Sequence, residues 1–358
     1  MTIHQFVPVL LKNDAVGNCA RELGSRLRRI EPDSRIFVED YAKSDKSIAT
    51  PIGQAVLSAK DVLIYHYANY SPLAVELASQ SRTFLYYHNI TPPEFFAPWD
   101  GDTALAQSRA RKQLGRLARL VAGALSVSEY NSDELRRLGV PKVFTVGLLA
   151  DYDLLESQQP TPKLARLSLY QEHRGSPADW LFVGRLVPNK AQELLIASFR
   201  IFRELTGYDA TLTLIGRPFA PSYLAALRGL VEELGVATRV HILSGGLPPR
   251  YLADHYRAAS LFVSGSRHEG FGAPLVEAMR MGLPVVALSR TGVTETLGSA
   301  GILVEDDDPV SLAVSAMVAS RNRDLLIASG RARAAEFTNE KVWGRFLQAL
   351  PYIRNDEN

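Results

Sequence analysis

Residues Arg267–Met279 read RHEGFGAPLVEAM, with two glutamates, Glu269 and Glu277, on either side of a Gly-Phe-Gly-Ala-Pro turn. The stretch follows a short apolar run, LFVSGS (261–266), that reads as a buried strand, and it runs into a helical pattern over 274–282. Gly270 and Gly272 permit a tight turn that side chains would block. Pro274 suits a first helical turn, where its missing N–H is not needed. Gly272, Ala273 and Leu275 can then offer free backbone N–H groups to an anion, at a helix end that carries partial positive charge. An ionised carboxylate only accepts hydrogen bonds, so each glutamate can pair with sugar hydroxyls. The plain alternative is two solvated glutamates around an ordinary strand–helix turn.

The strand–turn–helix unit repeats along the chain. DVLIYHY (61–67), TFLYYHN (83–89), GALSVSE (123–129) and KVFTVGLL (142–149) read as buried strands in the first half. WLFVGRL (180–186), ATLTLIG (210–216), RVHILSG (239–245), PVVALS (284–289) and GILVED (301–306) join 261–266 in the second half. Helical stretches over 191–206, 221–235 and 249–259 separate them. Such alternation predicts parallel sheets built from βαβ units. At 358 residues the chain exceeds one ordinary core, and about two domains are expected. The alternation breaks over 151–178, which reads as a linker. The expected division is 1–160, 176–335 and a C-terminal helix, 336–358, with Val342, Phe346 and Leu350 on one face, able to pack on either domain. Open parallel sheets bind ligands beyond the carboxyl ends of their strands, and with two facing sheets the expected site is an interdomain cleft.

Composition narrows the class. Hydrophobic residues make up 46% and charged residues 22%, as in a soluble globular protein, and a net charge of +2 implies no nucleic acid partner. The one cysteine, Cys19, leaves no room for an internal disulfide framework or a cysteine zinc site and suits a reducing cytoplasm. The N-terminus lacks a signal-peptide pattern, and no segment approaches the roughly 18 apolar residues of a membrane span. A cytoplasmic protein is expected, with peripheral attachment to a membrane still open.

Other motifs bear on chemistry. In FVGRLVPNKAQELL (182–195), Arg185 and Lys190 follow a strand end and can neutralise a diphosphate. Gly17, in NDAVGNCA, reads as a loop glycine before a helix over 18–30. His88 ends a strand before a polar loop, and His66 has a similar setting with a weaker claim. Residues 105–121 carry Arg109, Arg111, Lys112, Arg116 and Arg119, with Leu114, Leu117 and Leu120 as an apolar face, a pattern that suits either an anionic membrane surface or a solvated helix. The acidic run Asp306–Asp308 reads as a solvated loop, and no metal is expected.

Together these residues resemble glycosyltransferase family 4, whose members have the GT-B fold: two Rossmann-like α/β domains with parallel sheets facing an interdomain cleft. The resemblance rests on HEGFGAPLVEAMRMGLPVVALSRTGVTETLGSAGILVEDDDP (268–309), with the family's Glu-x7-Glu element, Gly-x-Pro-Val-Val strand and Glu-Thr-Leu turn. FVGRLVPNKAQELLIASF (182–199) and GGLPPRYLADHYRAASLFVSGS (245–266) extend it. The N-terminal half, where such enzymes recognise acceptors, matches far less, and its first strand reads as short. The resemblance implies retaining transfer of a hexosyl unit from a nucleoside-diphosphate sugar, with GDP-mannose leading, to a saccharide or lipid-linked saccharide in bacterial polysaccharide or glycoconjugate assembly. It implies that Glu277 binds the ribose, that Glu269 contacts the transferred sugar, and that Arg185 and Lys190 hold the diphosphate. Backbone groups of Gly270, Phe271, Gly272, Ala273 and Leu275 would line sugar and phosphate. Gly17 would approach the phosphate, His88 would sit over the sugar as the cleft closes, and Gly246 and Leu247 would meet the base. No cofactor beyond the co-substrate is implied. A GT-B-like epimerase or phosphorylase, or a non-catalytic sugar-nucleotide-binding protein, stands as the alternative.

Overall fold

The structure, a computed structural model, describes residues 1–11, 14–58, 60–162 and 178–355. The chain divides into two compact units, one comprising Met1–Ala97, Gly101–Asp151 and Phe337–Asn358, the other Pro98–Asp100 and Tyr152–Glu336.

The first unit holds β1 (Ile3–Leu10), β2 (Ile36–Tyr41), β3 (Ala49–Pro51), β4 (Val62–Tyr67), β5 (Arg82–Tyr87), β6 (Gly123–Ser126) and β7 (Val143–Thr145). They form one sheet in the order β3-β2-β1-β4-β5-β6-β7, with every pairing parallel. Its helices are α1 (Ala15–Ile30), α2 (Ala74–Gln80), α3 (Gly101–Leu117) and α4 (Glu129–Arg137). All six residues of β4 are buried, the pattern of a parallel strand covered on both faces. Tyr65 and Tyr67 pack with Phe6, Leu85 and Tyr87 against Ala110, Leu114 and Leu117 of α3.

The second unit holds β8 (Trp180–Val183), β9 (Leu212–Ile215), β10 (Val240–Leu243), β11 (Leu261–Ser264), β12 (Val285–Leu288) and β13 (Ile302–Val304). Their order is β10-β9-β8-β11-β12-β13, again wholly parallel. The helices are α5 (Gln192–Thr206), α6 (Pro221–Glu233), α7 (Pro249–Ala258), α8 (Ala273–Arg280), α9 (Thr291–Leu297), α10 (Pro309–Arg321) and α11 (Arg323–Ala334). Trp180 anchors the core, its ring 5.5 Å from Phe199 and 5.1 Å from Phe202. In both sheets the order reverses beside the first strand, at β1/β4 and at β8/β11, and ligands of doubly wound sheets bind at such switch points.

Several expectations need correction. β2 and β3 lie outside the strands read from the sequence. β1 spans eight residues and is not short. Gly17 sits in the first turn of α1, which begins at Ala15, and not in a loop. The Glu295-Thr296-Leu297 segment is helical, within α9. The last helix, α12 (Asn339–Arg354), buries Val342, Phe346, Ala349 and Ile353, so Ala349 takes the place expected of Leu350. It packs in the first unit: Arg82 donates to the carbonyl of Tyr352 at 2.9 Å and Arg345 to that of Val146 at 2.9 Å. Of the expected linker, residues 152–162 pack on the second unit, where Tyr152 and Leu155 are buried and Arg257 donates to the carbonyl of Gln158 at 2.6 Å. The rest of that stretch lies outside the described residues.

Candidate functional site

Two loops follow the strands at the switch point of the second sheet. The first leaves β8 through Gly184, whose φ of +157 is open to glycine alone. It is pinned to the end of β9 and the loop after it, with Gly184 N–H donating to Ile215 O at 3.0 Å and Leu186 N–H to Arg217 O at 2.9 Å. A Cβ on Gly216 would stand 1.7 Å from Gly184 O, so this approach requires glycine. The loop ends in a tight turn, Pro188–Lys190, and Ala191, with φ of +48, turns the chain into α5. The side chain of buried Asn189 donates to His268 O at 2.9 Å, and Arg267 N–H donates to Asn189 O at 2.9 Å. The two loops are thereby bonded to each other.

That bonding sets the first glutamate. Lys190 Nζ forms an ion pair with Glu269 Oε1, both side chains mostly buried, and Ser266 donates to the same oxygen at 3.2 Å. Glu269 N–H donates to Thr291 Oγ1 at 2.9 Å, while Gly292 N–H donates to Glu269 O at 3.1 Å. The start of α9 therefore clasps the backbone of Glu269. Glycine is needed at 292, because an added Cβ would lie 2.3 Å from Gly270 O. Arg267 anchors the loop from outside, donating to Asp307 at 2.7 and 3.1 Å and to Glu193 at 2.7 Å. The acidic run is thus structurally employed: Asp307 holds Arg267, and Asp308 caps α10 by accepting from Val310 N–H at 2.8 Å and Ser311 N–H at 3.1 Å.

The second glutamate differs. Gly272 caps α8 with φ of +89, and Glu277 follows on the helix. Its carboxylate accepts from the hydroxyl of fully buried Tyr256, on α7, at 2.7 Å. Burial pushes the Glu277 carboxyl up from its ordinary range, against the lowering effect of that hydrogen bond. Burial, then the Glu277 charge, raises the Tyr256 hydroxyl well above its own range. The sequence reading missed Tyr256 as the partner of Glu277. Its spacing on α7 marks it as core, and only the fold brings it to Glu277.

The remaining second-unit candidates surround these two. Arg185 is exposed and makes no side-chain hydrogen bond or ion pair among the described residues. The N–H groups of Gly272 and Ala273 likewise have no partner there, whereas Leu275 N–H already donates to Gly272 O at 2.9 Å. Leu275 therefore drops out as an anion donor. Phe271 is buried, and its carbonyl accepts from Thr296 Oγ1 at 2.6 Å. Gly246 and Leu247 follow β10, and Arg217 stands over Gly246, its Nε 3.3 Å from where a Cβ would be. Arg217 is an exposed cation that the sequence reading also missed.

In the first unit, Gly17 has its N–H bonded to Asp14 Oδ2 at 3.0 Å, and a Cβ would meet Leu11 O at 2.6 Å. Its smallness lets α1 close on the end of β1, and its N–H is committed. His88, just beyond β5, has Nε2 3.0 Å from His66 Nδ1. The other His66 nitrogen lies 2.7 Å from Gln5 Oε1. Burial lowers His66 well below its ordinary range and takes His88 down to about 3, so both rings are neutral. Cys19, its thiol pushed up to about 12 by burial, joins them: the donor atoms of Cys19, His66 and His88 lie within 4.8 Å of one another. Counting cysteines did not anticipate this grouping. On α3, Leu114 and Leu117 are buried but Leu120 is 42% exposed, beyond the helix end. Arg111 is tied to Ile90 O and Glu134, both at 2.9 Å. Arg109, Lys112, Arg116 and Arg119 are exposed. No helix among the described residues is long and apolar enough to cross a membrane.

Comparison with known proteins meets this geometry. Residues 177–320 match the sequence model of the family Glycosyl transferases group 1. A D-inositol 3-phosphate glycosyltransferase of Geodermatophilus obscurus is 33% identical over 232 residues, covering 63% of this chain and 48% of the relative. A GDP-mannose-dependent alpha-(1-6)-phosphatidylinositol monomannoside mannosyltransferase of Mycobacterium tuberculosis is 29% identical over 212 residues, covering 56% and 53%. These alignments span about half the length of the curated relatives. HepE of Anabaena, solved in complex with UDP and glucose, superposes with a TM-score of 0.75 at 17% identity over 98% of this chain and 99% of its own. The fold is GT-B, and the segment that carries Arg185, Lys190, Glu269 and Glu277 lies within the match to the Glycosyl transferases group 1 model.

Proposed function

We propose that this chain is a retaining glycosyltransferase that moves a hexosyl unit from a nucleoside-diphosphate sugar to a hydroxyl of a saccharide or lipid-linked saccharide. One observation carries the reading. A charge-paired glutamate, Glu269 with Lys190, and a buried glutamate, Glu277 with Tyr256, flank a glycine turn whose Gly272 and Ala273 N–H groups are free. A donor offers three parts in the same order: sugar hydroxyls, diphosphate and ribose hydroxyls. Glu269 takes the first, the turn with Lys190 and Arg185 the second, and Glu277 the third. Gly246 and Leu247, with Arg217 above them, are assigned to the base, and His88 to the transferred sugar.

Chemistry follows from where charge develops. As the sugar–phosphate bond breaks, the sugar becomes oxocarbenium-like and negative charge grows on the diphosphate. Fixed cations and a helix N-terminus stabilise that charge without reorganising. A diphosphate oxygen on the same face takes the acceptor's proton, which gives retention without a protein nucleophile. In this reading protein cations balance the diphosphate charge. Cytoplasmic placement and attachment to an anionic membrane through Arg109, Lys112, Arg116 and Arg119 belong to the same proposal.

The relatives leave the base open, since one is named for GDP-mannose and the Anabaena structure holds UDP. GDP-mannose remains the leading donor. The test is a thermal-shift panel of GDP, UDP and ADP and their sugar conjugates, with and without EDTA, on the wild type and on Glu277→Gln. A ligand at about 100 times its Kd stabilises the fold by about 2.7 kcal/mol. One base should win, unmoved by EDTA. Glu277→Gln should weaken it about 10- to 100-fold, the worth of a hydrogen bond to a charged group. A panel in which no nucleotide moves the wild type overturns the reading.

A further inference from the structure

Beside β1, the first sheet holds a chain of hydrogen bonds whose last member is His88, the residue assigned to the transferred sugar. Gln5 on β1, His66 on β4 and His88 after β5 join in sequence, at 2.7 Å and 3.0 Å. Parallel register explains why they meet. Gln5 pairs with Ile64 and His66 with Tyr86, and side chains two residues apart on a strand share a face. Gln5 and His66 are 0% and 1% exposed. Tyr86 stacks on both imidazoles, with centroids 5.2 Å from His66 and 4.9 Å from His88, and its hydroxyl is held by Gly147 O at 2.6 Å. Tyr86 is therefore locked, and it fixes the ring planes.

The bonds dictate proton positions. The Gln5 carboxamide turns its oxygen to His66 and leaves its own buried Nε2 without a partner; in that orientation the oxygen only accepts, so His66 carries its proton on Nε2, towards Gln5. Its Nδ1 is then a bare lone pair. The 3.0 Å contact to His88 requires a proton between the two nitrogens, and His88 Nε2 must supply it. A neutral imidazole has one N–H, so His88 Nδ1 is unprotonated. That nitrogen makes no hydrogen bond among the described residues. We propose that His66 is a positioning residue that fixes His88 as the Nε2–H tautomer, so that His88 presents Nδ1 as an acceptor for a hydroxyl of the transferred sugar. The inference rests on the assignment of His88 to that sugar.

The surroundings keep the pair neutral. The groups that face it are Gln5 from β1, Tyr86 from β5 and Cys19 from α1, and none is charged at neutral pH; Glu22, on α1, acts on Cys19. An imidazolium at His88 would lose the acceptor lone pair, so a sheltered neutral ring holds the function constant across physiological pH.

The test pairs an isostere with an apolar variant. Asn Oδ1 sits close to the place of His Nδ1, so His66→Asn still accepts from His88, whereas His66→Leu fills the space without accepting. Nitrogen-15 long-range correlation spectra of the full-length chain should show His88 with protonated Nε2 and bare Nδ1 in the wild type and in His66→Asn. In His66→Leu the single tautomer should be lost. Release of nucleoside diphosphate from GDP-mannose or UDP-glucose, whichever stabilises the protein more, should fall about tenfold in kcat for His66→Leu, one hydrogen bond's worth, with His66→Asn near wild type and donor KM steady in both. Gln5→Met, which removes the acceptor for His66 Nε2, should mix the tautomers of His88 even if His66→Leu does not fold. A protonated His88 Nδ1 in the wild type overturns the proposal, as does full turnover by His66→Leu. Neither result touches nucleotide binding at Glu277, whose own variant reports on the transferase reading.

Discussion

Beside the first strand of the second sheet, the loops carry formal charges: Arg185, Lys190, Glu269 and, one helix on, Glu277. Beside the first strand of the first sheet, Gln5, Cys19, His66 and His88 are all neutral, because burial holds both histidines down and the thiol up. The topology at the two places is the same, a parallel sheet whose order reverses. Shared topology therefore sets where a ligand is met and leaves its chemistry to side chains. Charges suit a diphosphate, while a neutral hydrogen-bonded chain suits hydroxyls.

The largest expected effect breaks the charged side. Lys190→Ala removes a fixed cation and leaves Glu269 mostly buried without its charge partner. Loss of one preorganised electrostatic group typically costs about 10²–10³ in kcat, so release of nucleoside diphosphate should fall by about that factor. If the loss is no greater than the tenfold expected of His66→Leu, the contrast between charged and neutral switch points fails.

The two regions were also unequally legible in the sequence. The charged site is built from residues that are local in the chain. Glu269 and Glu277 share one turn, and Arg185 and Lys190 share another. Strand-then-glycine patterns placed both turns at strand ends. What escaped depends on distant parts meeting. Tyr256 reaches Glu277 from α7, Gly292 presses on Gly270, and Arg217 stands over Gly246. Gln5 joins His66 only through the register of β1 against β4. Gly17 misled for the opposite reason. A glycine after an apolar run reads as a loop residue, but here it sits inside a helix because Leu11 O leaves no room for a Cβ. β2 escaped because only its first half is buried, and β3 because it has three residues and ends in proline.

A middle-sized effect sharpens the comparison through backbone packing. Gly292→Ala puts a methyl group 2.3 Å from Gly270 O. Neither atom can rotate away, so the Glu269 loop or the start of α9 must shift. Overpacking of this kind costs about 1–3 kcal/mol, read as a lower thermal midpoint. Nucleotide affinity should fall with it, because the same shift moves Glu269 N–H off Thr291. The His88 tautomer should not change. A variant that loses stability yet binds nucleotide as tightly as the wild type would detach the clasp from the site.

The smallest effect concerns pH, and its sign follows from Glu277. Burial raises the folded-state value of its carboxyl above the unfolded one, so the folded protein holds this proton more tightly. The resulting stabilisation is complete below the unfolded value, about 4.3, and is lost as pH rises through the raised folded value. Glu277→Gln carries no such penalty. The midpoint of the variant should gain on the wild type as pH goes from 4.5 to 8, by about 2–4 °C for each kcal/mol of burial cost in a domain of this size. Saturating nucleotide should reduce the gain, because ribose hydroxyls would solvate the ionised carboxylate. The buried histidines give the control on the other side. Their folded values lie below the unfolded one, so stability from keeping them neutral is lost as pH falls, the opposite direction. A midpoint difference that does not move with pH would mean that Glu277 is already well solvated. The second switch point would then be less distinct from the first than its burial indicates.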